Sequence, residues 1–311
     1  MRTVVLLTLA VVACSGSDGG RPDEELGGLV VAGDSKPKAI DVGKAAHDAR
    51  ELARALALPH EQVGEMLGPH ALSGATKLEV REGDKLVEEM TEETAVELDA
   101  KGNYHARAAS SKEYGREVFF VDGWMYLRPR YGKYHKRRPA DEVEPARVRG
   151  EIAASTAATF ELLARGASVS DGGELEVGGR KARKILIAMG KSQPSSEDEA
   201  RTQRAWREEA VVQDVAGEVT LDAATGAPLR AQVRGAVAFQ REGRSFVMKL
   251  EAQHELSSFG KVSAVAAPPD EETVSNIEPP HELDERESLL QGIAPPSRRA
   301  PTPGAATGSP K

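Results

Sequence analysis

Six cations fall within eleven residues of the chain, Arg128, Arg130, Lys133, Lys136, Arg137 and Arg138, interleaved with Tyr131, Tyr134 and His135. Arginine suits phosphate because its planar fork donates two hydrogen bonds at once, so such a run can contact a lipid headgroup or an anionic bilayer surface. It reads equally as a solvated turn paired with the acidic stretch Asp141-Glu142-Val143-Glu144 that follows. The other chemistry-bearing residues offer less. The seven histidines show no i, i+4 or His-x-His spacing, so no metal site is expected. His254 shares strand parity with Leu250, Ala252 and Leu256 and reads as a satisfied core histidine. His47 and Glu51 share a helix face and read as a helical ion pair. No Gly-x-Ser-x-Gly elbow, Ser-x-x-Lys or phosphate-cradling glycine loop is present. The reading is of a protein that is not an enzyme and calls for no cofactor and no metal.

Composition narrows the classes. With 41 Lys and Arg against 49 Asp and Glu, the net charge of -8 argues against a nucleic-acid partner, which would favour a basic chain. A single cysteine excludes an intrachain disulfide framework. That cysteine, Cys14, closes the apolar run Val4 to Ala13, which follows Arg2 and is far shorter than the roughly 20 residues of a membrane span. The sequence Val11-Val12-Ala13-Cys14-Ser15-Gly16-Ser17 resembles the lipobox of bacterial lipoproteins. The resemblance implies a signal peptide over residues 1–13 and acylation of Cys14, whose acyl chains would be the membrane anchor. Ser15 after the cysteine, where no Asp stands, fits an outer-membrane protein facing the periplasm, by analogy with enterobacterial sorting.

Residues 14–38 hold many glycines and read as a lipidated flexible tether. Nine of the 18 prolines lie after Ala267, and residues 270–311 read as a disordered tail, with a transient amphipathic turn around Leu283 to Ile293. Lys191 to Glu209 is polar and charged and reads as a long loop with some helix around Trp206. The span 39–269 between them is the folded domain.

Within it the hydrophobic period is mostly two. The first exception is Asp41 to Leu58, where Ala45, Ala49, Leu52, Ala53 and Leu56 recur at helical spacing before Pro59. A second helical stretch, Val148 to Ala164, lines up Ile152, Thr156, Phe160 and Leu163. Short alternating segments at Thr76–Val80, Lys85–Met90, Thr94–Asp99, Tyr104–Ala109, Tyr114–Val121 and Trp124–Arg128 are separated by Glu82-Gly83-Asp84, Ala100-Lys101-Gly102-Asn103 and Asp122-Gly123. Connections this short allow only antiparallel pairing. Lys181–Met189, Val211–Asp222, Leu229–Phe239 and a strand through Phe246 to Leu256 complete the sheet. In the last two, apolar residues occupy alternate positions, so one face is apolar and the other wet. Such a face must be covered, and the helices are what is available. The expected fold is α+β, a curved antiparallel sheet forming an incomplete β-barrel with helices on its concave face.

The lipobox, the leading helix, the meander containing Val121-Asp122-Gly123-Trp124-Met125-Tyr126-Leu127-Arg128 with Tyr131-Gly132-Lys133-Tyr134, and the strand-turn-strand Val219 to Leu229 together resemble one superfamily. It is that of the bacterial lipoprotein-localisation factors LolA and LolB and the mycobacterial lipid-carrier lipoproteins LppX and LprG. The resemblance implies a hollow that takes acyl chains of a lipid or lipoprotein. Its lining is expected from Phe160, Leu163, Leu229, Ala231, Val233, Val237, Phe246, Met248 and Leu250. Small interior residues (Ala106, Ala108, Ala231, Gly235 and Ala252) leave room for such a ligand, or equally let helices approach closely over a full interior. Two functions follow: an envelope lipoprotein that binds or carries acyl chains, or a structural and interaction lipoprotein of the envelope with a solid core. No protein partner is identified.

Overall fold

The computed structural model describes residues 40–191 and 210–275. The expected signal segment, Cys14, the tether up to residue 38, residue 39 at the start of the expected domain, the charged stretch 192–209 and the tail beyond 275 lie outside the described residues. Twelve strands form one sheet: β1 His70–Glu82, β2 Lys85–Leu98, β3 Tyr104–Ser110, β4 Gly115–Val121, β5 Trp124–Pro129, β6 Tyr134–Arg137, β7 Ala167–Val177, β8 Arg180–Met189, β9 Val211–Asp222, β10 Pro228–Arg241, β11 Arg244–Ser257 and β12 Thr273–Ser275. Among the described residues five α-helical segments accompany it: α1 Val42–Ala45, α2 Ala49–Leu56, α3 His60–Leu67, α4 Glu144–Ala153 and α5 Ser155–Leu163.

The strand order is β12-β6-β5-β4-β3-β2-β1-β11-β10-β9-β8-β7. Two meanders, β1 to β6 and β7 to β11, are stitched together by β1 and β11, which pair antiparallel from Ala71 opposite Ser257 to Arg81 opposite Val247. The edges β12 and β7 do not pair with each other, so the sheet is an open, incomplete barrel. One pairing departs from the antiparallel rule: β12 runs parallel to β6 through Thr273 to Ser275. It also carries the sheet six residues past the domain boundary expected at 269. Distance explains the exception, because the chain between Ser257 and Thr273 is long enough to return along the β6 edge in the same direction.

Elsewhere alternation decides the register. In β10, Leu229, Ala231, Val233 and Val237 are buried while Arg230, Gln232 and Arg234 are exposed. In β11, Phe246, Met248, Leu250, Ala252 and Leu256 occupy the same face. The helices cover that face in two groups. α1, α2 and α5 pack with β7 to β11 around Leu52, Phe160, Ile185, Val219 and Val233. α3 and α4 pack with β1 to β5 around Val63, Ile152, Val96, Tyr104 and Met125. A third, small cluster (Val121, Tyr126 and Tyr134 with Trp124 and Val265) lies on the opposite face of the β4 to β6 corner. There the segment after β11 crosses back, its Val265 N–H donating to the buried Asp99 Oδ2 at 3.0 Å.

Each expected helix is broken. Asp41 to Leu58 is two segments because His47 and Asp48 interrupt the helix, and the Asp48 side chain caps α2 by accepting from the Arg50 N–H at 2.9 Å. Val148 to Ala164 belongs to two segments that meet at Ala154. Pro59 does not only end a helix: it is the N-cap of α3, a helix the periodicity did not indicate. The short segments expected at Lys85–Met90 and Thr94–Asp99 are one strand, β2.

Candidate functional site

All nine residues expected to line a hollow are buried, seven of them on the helix-covered face of the sheet and Phe160 and Leu163 on α5 above it. Eight belong to the cluster under α1, α2 and α5, whereas Leu229 packs in the neighbouring cluster with α3 and α4. The sequence therefore brings them to one interior, eight on one side of the seam between the two helical groups and Leu229 on the other. α5 sits directly on the sheet here. A Cβ on Gly235 would come within 2.6 Å of Leu163 Cδ2 and 2.5 Å of the Asp214 carbonyl oxygen, so only glycine admits this approach. Phe239 and Phe246 stack at the far end of the same strand pair, with ring centroids 5.5 Å apart.

The six cations gather along the β5–β6 corner and are partly spoken for. Arg128 pairs with Glu117 and lies 3.3 Å from Glu272, and its guanidinium covers the Tyr134 ring at 4.1 Å. Arg137 forks onto Glu144, with Nη1 to Oε2 at 2.8 Å, which holds that carboxyl below the usual range against the opposing effect of burial. Arg130 donates to the Ser110 carbonyl at 2.6 Å and Arg138 to the Gly123 carbonyl at 3.1 Å. Arg138 also lies 3.9 Å from the Trp124 ring centroid, and Lys136 stands over the same ring at 4.9 Å. Lys133 is exposed. Pairing with the acidic stretch is thus realised at Glu144, and Lys133 and Lys136 are the members of the run most open to a further anion.

The histidines hold what the spacing concealed. His254 is satisfied, its Nε2 donating to the Pro228 carbonyl at 3.1 Å. His47 stands exposed between α1 and α2, and the ion pair expected with Glu51 is not among the pairs formed; Glu51 pairs with Lys44 and Arg54 instead. His60 at the start of α3 and His70 at the start of β1, ten residues apart, meet beneath the helices with their Nε2 atoms 3.2 Å apart. His70 Nδ1 lies 2.8 Å from the Gly68 carbonyl and must donate to it. In its neutral form His70 Nε2 is therefore the acceptor and His60 Nε2 the donor, which leaves His60 Nδ1 a bare lone pair. That atom is buried without a partner. Burial holds the pKa values of His60, His70 and His254 below the ordinary histidine value, and mutual repulsion with Arg149 adds to the effect on the first two.

Arg149, on α4, faces the same spot. The residue is buried, with an exposure of 7%, its Nε–H has no acceptor, and among the described residues no carboxylate forms an ion pair with it. Its guanidinium carbon lies 5.3 Å from the Tyr104 ring centroid. Tyr104 itself is committed, its hydroxyl donating to the Pro145 carbonyl at 2.8 Å. Pattern reading missed this cluster because its members come from three separate elements, and no short-range spacing encodes that meeting. Among the described residues no group of three or more His, Cys, Asp or Glu is arranged to hold a metal ion.

No protein-family model and no curated protein matches the chain. Solved structures do. MucB is 17% identical over 74% of this chain, with a TM-score of 0.23, and the chain spans 63% of the length of that protein. A DUF1329 family protein from Desulfovibrio piger is 13% identical over 68% of this chain and 93% of its own, with a TM-score of 0.20. A LolA superfamily protein from Nitrosomonas europaea is 8% identical over 70% of this chain and 96% of its own, with a TM-score of 0.20. The superfamily that the sequence resembles is thus represented among these structures, while the fold itself rests on the strand order and register of this chain.

Proposed function

We propose that the chain is an envelope lipoprotein, anchored by acylated Cys14 at the periplasmic side of the outer membrane, that binds or carries acyl chains between its sheet and its helices without altering them. The observation that supports this is the division of the covering layer. Short helices form two separate apolar clusters over one continuous sheet, with eight of the nine expected lining residues on one side of the seam and Leu229 on the other. A cover built of pieces can part along that seam at the cost of few contacts, and an acyl chain laid there is shielded from water, at about 0.8 kcal/mol per buried methylene. Because α5 already rests on Gly235, the chain enters by lifting that helix and does not fill a standing hollow. In this reading Lys133 and Lys136 at the β5–β6 corner contact an anionic bilayer while this happens.

The close seat of Leu163 on Gly235 also favours the second reading, a solid-core structural or interaction lipoprotein of the envelope. Titration of the full chain with a fluorescent fatty acid separates the two. Saturable uptake with a blue-shifted emission supports the carrier; no uptake, with the fold intact by circular dichroism, supports the solid core.

A further inference from the structure

We propose that Arg149, His60 and His70 form a buried seat for an oxyanion of carboxylate or phosphate type, carried into the domain at the head of an acyl chain. A guanidinium taken out of water costs several kcal/mol unless paired, and Arg149 has no carboxylate partner among the described residues; Glu61, a carboxylate that favours its charge, is exposed and forms no ion pair with it. His60 presents a second orphan, Nδ1, at the same place. One unpaired donor and one unpaired acceptor are complementary to a group that bears both a negative oxygen and an acidic hydrogen, such as hydrogen phosphate, or to a carboxylate that takes up one proton from solvent on binding and shares it with His60 Nδ1. The oxygen accepts from Arg149, and His60 Nδ1 takes the hydrogen. His70 fixes this arrangement, because its bond to the Gly68 carbonyl dictates which nitrogen of His60 is bare. The seat is buried, with exposures of 5% for His60 and 7% for Arg149. It also lies in the cluster under α3 and α4, beside the seam where the acyl chain is proposed to lie, since Tyr104 and Leu229 belong to that same cluster.

This inference rests on the carrier reading for its lipid, and the test keeps the two apart. The full chain is titrated calorimetrically with oleate, with oleyl alcohol and with inorganic phosphate, and the His60 and His70 ring resonances are followed by NMR. The expected result is oleate binding at least ten-fold tighter than oleyl alcohol, a preference erased by Arg149→Gln and partly kept by Arg149→Lys. Equal affinity for oleate and oleyl alcohol in the unsubstituted protein overturns the seat and leaves the carrier standing. Phosphate shifting both rings while neither chain binds upholds the seat for a free anion and overturns the carrier. No chain bound and no shift overturns both. Should Arg149→Gln fail to fold, the comparison of oleate with oleyl alcohol in the unsubstituted protein decides alone.

Discussion

Leu163 of α5 lies against the bare backbone of Gly235 in β10, at a separation that a single added carbon would reduce to 2.6 Å. α5 is seated on the sheet through this contact. Gly235→Val should lift α5 and strain the Asp214 side of the strand, costing about 1–3 kcal/mol as overpacking usually does. Thermal or urea unfolding reads the loss. On the carrier account the same substitution weakens acyl-chain binding less than it weakens the fold, because the helix must rise for the chain to enter; a proportionate loss of both would speak for a solid core.

Phe160 is fully buried at the centre of the first cluster. Phe160→Ala removes its ring from contact with both sheet and helices and should cost about 3–5 kcal/mol. Chemical denaturation measures this, and a loss below 1 kcal/mol would mean that the interior under α5 is not close-packed.

Acid should unfold the domain through its histidines. Burial lowers the folded-state pKa of His60, His70 and His254 below their unfolded value near 6.5, so below that pH the unfolded chain binds more protons than the folded one. The contribution is complete above about pH 6.5 and is lost as pH falls, by up to about 1.4 kcal/mol per pH unit for each histidine in the window. Urea midpoints measured from pH 7.5 to 4.5 should fall, and His70→Asn should flatten the slope. A midpoint that stays level over that range contradicts the buried pair.

Asp99 is one anchor of the return segment, beside the β12–β6 pairing and the Arg128–Glu272 contact. Its carboxylate accepts from the N–H groups of Lys101 at 2.8 Å, Asn103 at 2.9 Å and Val265 at 3.0 Å. Asp99→Ala leaves these donors without an acceptor, at about 1–3 kcal/mol. It should also release residues 260–275 to proteolysis while β1 to β5 stay protected, which limited digestion with mass mapping would show.

Much of this architecture was legible because a half-covered sheet imposes period two. Leu229 to Phe239 and Phe246 to Leu256 announce their buried faces, and Gly102 and Gly123, both with positive φ, mark tight turns as expected. What escaped has physical reasons. β7 is an edge strand whose Gly172 and Gly173 interrupt alternation at a bulge after Asp171. α3 carries Gly64 and starts at Pro59, a residue that reads as a terminator when it is a cap. The cation run was visible, but Arg128 finding Glu272 across 144 positions was not. The buried Arg149 gave no signal either: in the sequence it is one more charge on a helix, and only tertiary packing against Tyr104 and the histidine pair sets it apart.

The central claim is that sheet and helices together shelter an acyl chain. Native mass spectrometry of the full-length protein, purified from the membrane in mild detergent, tests it most directly. The account predicts a bound species of lipid mass over and above the acyl groups on Cys14, removed when α5 is locked to β10 by an engineered crosslink. A protein that carries only its anchor, and takes up no fatty acid when offered one, would contradict it.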